Sequence, residues 1–274
     1  MATVERAVGK DRQISVCADD FGMAPAVDQA VLRLAEQRRL SGTSCLVDGS
    51  SFVQNAPLLR QTRLQKGLHL NFTEFAATPG VYAMPLKRVI LGSLMQRLDP
   101  AKIKASIARQ CDLFEAALDQ GPDYIDGHQH VHQLPQIRDA LLQELERRYG
   151  GHLPWLRYTG AQRLGANFSF GERFKARVIA ALGADALARM ASAKGMTLNA
   201  GFVGVYDFKG GEARYRRLTQ AWLAAMQHGD SLMCHPALET VPGDPVGAQR
   251  VAEYQVLSSQ DMAGWLAQYS LRIA

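Results

Sequence analysis

The sequence predicts an α/β fold: a (βα) barrel, incomplete in its closure, with about seven mainly parallel strands. Three observations predict it. Short apolar runs alternate with segments of helical period along the whole chain, and such βα alternation builds a mainly parallel sheet with helices outside it. About seven strand-like runs fit into 274 residues, a length within reach of one α/β barrel. No linker, charge block or repeat of about 20–50 residues divides the chain. Residues 1–274 therefore read as one domain, with residues 1–13 as a flexible N-terminal extension.

The elements follow in order. Residues 14–18 (ISVCA) form a buried strand. Pro25 suits a first helical turn, and Val27, Ala30, Val31 and Leu34 then recur at helical spacing. Residues 43–47 form a strand, 51–60 a short helix and 67–72 (GLHLNF) a third strand. The stretch holding Pro79, Gly80 and Pro85 is too long for a routine connection and reads as a substrate loop. After Asp99 and Pro100, the apolar residues Ile103, Ile107, Cys111, Phe114 and Leu118 mark an amphipathic helix. Strands at 124–126 and 155–158 flank a helix at 135–149. Residues 172–193 read as helical, with Gly183 as a break. A strand at 197–205, a helix at 213–227, a strand at 231–234, helices at 246–257 and 261–268, and a strand at 271–273 complete the chain.

Composition excludes several classes. With 47% hydrophobic and 21% charged residues the chain is an ordinary globular protein. The net charge of +5 is modest, and Arg38, Arg39, Arg147, Arg148, Arg214, Arg216 and Arg217 are dispersed among acidic residues. No nucleic-acid partner is expected from that pattern. Four scattered cysteines without a CxxC make no disulfide framework and suit a reducing compartment. No apolar run reaches the roughly 18 residues of a membrane span, and the N-terminus lacks a signal-peptide pattern. A cytoplasmic protein is expected, with a homodimer as the commonest assembly.

The chemistry sits at predicted strand ends. Asp19 and Asp20 follow the first strand, two like charges that need a cation or a shared proton beside them. Asp and Gly also favour turns, so capping is the plain alternative for this pair. His69 lies in an apolar strand, where a lone histidine is more often part of the core. In residues 126–132 (DGHQHVH), His128, His130 and His132 share a face if the chain is extended. If it turns after Gly127, only one or two converge. His235 follows the strand at 231–234. Together, four strand ends carry Asp or His, and a parallel barrel gathers such ends at one face. Two histidines and a carboxylate with open positions make a catalytic metal arrangement. The remaining carboxylate and histidine can serve as base and acid.

The ordered motifs ADDFG (18–22), GLHL (67–70), DGHQHVH (126–132) and MCHPA (233–237) resemble those of the YdjC-like carbohydrate deacetylases. Arg250 and Glu253 resemble that family's late Arg…Glu…Leu segment. The resemblance implies a distorted TIM-like (βα) barrel related to polysaccharide deacetylases, and hydrolytic removal of N-acetyl groups from sugars. It implies Asp20, His69 and His128 as metal ligands, Asp19 as general base, and His235 as general acid or transition-state stabiliser. His130, His132 and Arg157 match positions near the site. Asn71 stands where relatives carry another residue and is a substrate contact by that departure. Gly127 replaces a serine common in relatives. One divalent ion is expected: Mg2+ by the resemblance, Zn2+ or another transition metal by the softness of two imidazoles. Tyr206, with Phe202 and Tyr82, offers aromatic surface for a sugar. A formamido or lipid-linked (hopanoid-type) sugar as substrate, and a non-catalytic sugar- or metal-binding protein, stay open beside this reading.

Overall fold

The computed structural model describes residues 12–160, 162–163 and 170–274. The expected N-terminal extension falls largely outside them. Its last two residues, Arg12 and Gln13, instead begin the first strand and pair with the last one.

One parallel sheet forms the centre. Its strands are β1 (Arg12–Phe21), β2 (Gly42–Cys45), β3 (Gln65–Leu70), β4 (Tyr124–Gly127), β5 (Trp155–Leu156), β6 (Phe202–Val203), β7 (Ser231–Cys234) and β8 (Leu271–Ile273). Seven run in the order β5-β4-β3-β2-β1-β7-β6, and β8 pairs with the start of β1. Ile14, Val16, Ala18 and Phe21 of β1 are buried, as expected for strands covered on both faces.

The barrel is incomplete because β5 and β6, its two ends, are only two residues long. They approach through single bridges, Leu156 to Leu198 and Gln162 to Phe202. Between those bridges the Asn199 amide takes over the ladder: it accepts from the Tyr158 N–H (2.7 Å) and donates to the Tyr158 carbonyl (2.9 Å). The strands expected at 155–158 and 197–205 are thus reduced to short pairs.

The helices are α1 (Pro25–Glu36), α2 (Phe52–Arg60), α3 (Leu86–Leu94), α4 (Pro100–Leu118), α5 (Pro135–Tyr149), α6 (Phe170–Ala181), α7 (Ala184–Ala193), α8 (Gly211–Ala225), α9 (Gly247–Leu257) and α10 (Gln260–Gln268). In α4 the Asp99 carboxylate caps the free N–H groups of Ala101 and Lys102. Its stripe of Ile103, Ile107, Cys111, Phe114 and Leu118 is buried as spaced. Gly183, at φ +128°, separates α6 from α7 where a side chain would be strained. Helix α3 was not expected. Val89 and Ser93 of it are buried and Leu86 and Ile90 pack beside them on the core, an apolar face in a helix of only nine residues, while Leu91 and Leu94 are exposed.

All four cysteines are free and buried. Among the described residues no helix is long and apolar enough to cross a membrane.

Candidate metal centre and active site

The site grows from the carboxyl ends of β1, β3, β4 and β7. Neighbouring residues in a regular strand point to opposite faces, so Asp19 and Asp20 need an irregularity to face one way. β1 supplies it: its register against β2 slips between Ala18 and Phe21, and Asp20 takes a left-handed backbone at φ 72°. Such strained positions cluster at functional sites. Both carboxylates are buried, and both approach His69 Nε2, at 4.0 Å for Asp19 Oδ2 and 3.4 Å for Asp20 Oδ1.

Asp20, His69 and His128 bring one ligand atom each to within 4.8 Å of one another. Asp20 Oδ1 lies 3.0 Å from His128 Nδ1. His69 is oriented from behind, because the register sets it directly opposite Asp126. Its Nδ1 and Asp126 Oδ1 are 2.6 Å apart, which leaves Nε2 facing Asp20. Asp126 in turn accepts from Ser44 Oγ (2.6 Å) and Arg157 Nη2 (2.7 Å). A ligand histidine backed by a carboxylate is the usual support of a metal site.

The electrostatics fit a cation. Burial opposes protonation of His69, but the Asp126 and Asp19 carboxylates outweigh it and raise the ring to about 10. Burial also opposes ionisation of Asp20, yet Arg250 and His128 hold its carboxyl well below the usual range. A field that binds a proton this firmly also favours a divalent ion, and the donor set of two imidazoles and one carboxylate is a metal-binding set. The residues present therefore fit the ion that the resemblance implies.

The three histidines of 128–132 do not share a face. After Gly127 the chain turns, with Gln129 and His130 both in the left-handed region (φ 53° and 61°). Only His128 reaches the carboxylates. His132 is buried, and its Nε2 lies 2.9 Å from the Arg157 carbonyl; burial lowers its ring to about 4. His130 meets the ring of Phe202 edge-on, with centroids 5.9 Å apart. The turn also explains Gly127: a Cβ there would sit 2.8 Å from the His132 backbone nitrogen.

Asp19 is held differently from Asp20. Arg157, fully buried, grips both its oxygens at 2.6 and 2.7 Å. Arg157 also reaches Cys17 Sγ (3.0 Å). Cys17, Asp19 and Asp126 form a second cluster of metal-ligand type, but this guanidinium bonds all three. His235 Nε2 lies 4.0 Å from Asp19 Oδ2. The backbone of His235 is fixed by its N–H to Glu253 Oε2 (2.5 Å), and its ring stands edge-on to Phe208.

Two expected substrate contacts have structural partners instead. The Asn71 Oδ1 accepts from the N–H groups of Thr73 and Glu74, and its Nδ2 donates to the Glu74 carbonyl, so the amide shapes the turn after β3. Tyr206 is buried among Phe208, Tyr215 and Trp222, and its hydroxyl donates to Glu253 Oε1 (2.6 Å). Phe202 is also buried, whereas Tyr82 is half-buried against Phe72. Arg157, expected near substrate, sits behind Asp19. Sequence reasoning gave no role to Asp126, Arg250 or Glu253. The signal for Asp126 was its place at a strand end beside His128; for Arg250 and Glu253 it was their three-residue spacing on α9.

The chain is similar to known proteins along most of its length. The carbohydrate deacetylase of Homo sapiens is 26% identical over 303 aligned positions, covering 95% of this chain and 89% of that protein. The chitooligosaccharide deacetylase of Klebsiella pneumoniae (strain 342) is 25% identical, covering 96% and 97%. The family 4 carbohydrate esterase of Streptomyces lividans, solved with acetate, has the same fold, with a TM-score of 0.51 at 11% identity over 97% of this chain and 93% of that one. A family model described as YdjC-like protein matches residues 13–268, nearly the whole chain, and the chain belongs to that family.

Proposed function

We propose that the protein is a metal-dependent hydrolase that removes N-acetyl groups from amino sugars or short N-acetylated oligosaccharides. One observation carries the reading: two adjacent buried carboxylates have different surroundings. Asp20 keeps one oxygen open towards His69 and His128. Asp19 is clamped by Arg157 and sits 4.0 Å from both His69 Nε2 and His235 Nε2. A ligand and a base side by side are what hydrolysis needs, whereas simple metal binding needs no base. The substrate class comes from relatives named carbohydrate deacetylase and chitooligosaccharide deacetylase.

A divalent ion held by Asp20, His69 and His128 would polarise the acetyl carbonyl and make a water acidic enough to react near neutral pH. Asp19 takes the proton of the attacking water. Arg157 keeps that carboxylate oriented for it. Burial holds His235 down to about 4, so its ring is neutral at pH 7. A neutral imidazole suits a hydrogen bond to the developing oxyanion. It becomes the acid only once it gains a proton, which Asp19 Oδ2, 4.0 Å away, can pass on through one bridging water towards the leaving amine. The products are acetate and a free amino sugar.

A lipid-linked sugar is a second reading, and one observation favours it. On α6, Phe170, Phe174 and Val178 are exposed at four-residue spacing. Helix α6 also touches the site wall, through Lys175 Nζ on the Tyr206 carbonyl and Ala176 against Phe202. Acetate release from diacetylchitobiose, a panel of N-acetylated monosaccharides and a lipid-linked N-acetylated sugar tests both readings. Release from the soluble sugars supports the first and release from the lipid-linked one alone supports the second. No release from any, with metal supplied, contradicts both.

A further inference from the structure

Two arginines divide the carboxylate pair. Arg157 occupies both oxygens of Asp19, but Arg250 occupies only one oxygen of Asp20: its Nη2 lies 2.7 Å from Asp20 Oδ2. The other carboxylate oxygen, Oδ1, is the one 3.0 Å from His128 Nδ1 and 3.4 Å from His69 Nε2.

Arg250 is itself fixed on several sides. Its Nε donates to Asp244 Oδ2 (2.6 Å), in the loop before α9. Its Nη2 also reaches Met23 Sδ (3.4 Å), just beyond β1. Its carbonyl accepts the N–H of Ala237, two residues after His235. Arg250, Asp244 and Asp20 are all buried, with side-chain exposures of 3%, 2% and 0%. A planar guanidinium held at two edges cannot follow a rotating carboxylate, unlike a lysine on a flexible stem. Asp20 also needs an anchor, since its left-handed backbone is not a resting conformation for aspartate.

We propose that Arg250 is a positioning residue for the metal centre: by holding Oδ2 it presents Asp20 through Oδ1 alone and leaves coordination positions open for water and substrate. This rests on Asp20, His69 and His128 being the metal ligands. Without Arg250 the carboxylate is free to turn and offer both oxygens, which adds a donor to the ion and crowds the positions left for water and substrate. The late Arg-x-x-Glu segment then has a divided task. Arg250 sets the metal ligand, while Glu253, one turn on, holds the backbone of His235.

The test uses Co2+ alone on the full chain stripped of metal, so it needs no substrate. The visible absorption of Co2+ weakens as its coordination number rises, which makes geometry readable in the spectrum. Arg250→Gln is expected to bind Co2+ with a visible absorption weaker than the wild type's, and Arg250→Lys to recover part of the loss. A spectrum for Arg250→Gln that equals or exceeds the wild type overturns the proposal. Should Arg250→Gln fail to unfold cooperatively, Asp244→Asn is read instead. It frees the other edge of the guanidinium and should weaken the absorption in the same direction. Wild-type spectra from both Asp244→Asn and Arg250→Lys would then overturn it. A wild-type chain that binds no Co2+ overturns this proposal and the ligand set together. A chain that binds Co2+ with the expected variant spectra yet releases no acetate overturns only the proposed function.

Discussion

Replacing Arg157 with leucine removes the charge on which the buried carboxylates depend. The guanidinium is fully buried and bonds Asp19 at 2.6 and 2.7 Å and Asp126 at 2.7 Å. Breaking a buried pair by deleting one partner costs about 3–5 kcal/mol. Here two carboxylates lose their partner, which places the cost near the upper end, about 5 kcal/mol. At roughly 2 °C per kcal/mol for a chain of this size, Tm falls by about 10 °C. The assay is thermal unfolding followed by circular dichroism, with chelator present so that bound metal adds nothing. The deficit has a pH signature. In the wild type, Arg157 and His69 overcome burial and hold the Asp126 carboxyl below its ordinary value. A depressed carboxyl stabilises the fold above its unfolded-state pKa, and that stabilisation is lost as pH falls through the native value. Arg157→Leu lacks most of it, so the gap between variant and wild type should narrow towards acid. An Arg157→Leu protein that melts within about 2 °C of wild type at pH 7 would refute the reasoning.

Other outcomes follow from the same contacts. His128→Ala removes one of the three proposed ligands, so metal content and acetate release should fall together; full metal content in the variant, by elemental analysis, would exclude His128 from the ligand set. Gly127→Ala sets a Cβ 2.8 Å from the His132 backbone; urea unfolding should show a loss of about 1–3 kcal/mol, as for other overpacked sites. Burial raises the Glu253 carboxyl to about 7, against the donors His235 N–H and Tyr206 hydroxyl. A carboxyl raised on folding adds stability below its unfolded value, and that stability is lost as pH rises through about 7. Glu253→Gln should therefore flatten the decline in Tm between about pH 4.5 and 7; an unchanged slope would contradict the buried-acid account.

Much of this was legible in the sequence because parallel strands and their flanking helices leave periodic signals. The stripe of α4 and the apolar run of β1 lie where their spacing put them. Asp19, Asp20, His69 and His128 converge because each sits at a strand end, a topological fact that order alone conveys. The geometry of residues 128–132 was not legible. An extended chain and a turn use the same residues, and the turn rests on two left-handed positions taken by Gln129 and His130 rather than by glycine. The second layer was hidden for another reason. Arg157, Arg250 and Glu253 stand at positions that the resemblance marks, but their partners lie 138, 230 and 18 residues away, so no local pattern shows what they hold. Asn71 and Tyr206 look like ligands of a sugar from their chemistry, but their polar atoms bond within the fold. Helix α3 carries Leu86, Val89 and Ile90 at helical spacing, but in nine residues directly after a Pro- and Gly-containing stretch that face is too short to stand out.

The central claim is that Asp20, His69 and His128 hold a metal while the neighbouring Asp19 does the chemistry. The most direct test measures bound metal and acetate release on the same preparations of wild type and Asp19→Asn, purified without a histidine tag. The account predicts that Asp19→Asn keeps the wild-type metal content and loses turnover by about 10²–10⁴-fold, the usual contribution of a general base. Wild-type turnover from Asp19→Asn, or loss of its metal along with its activity, would contradict it.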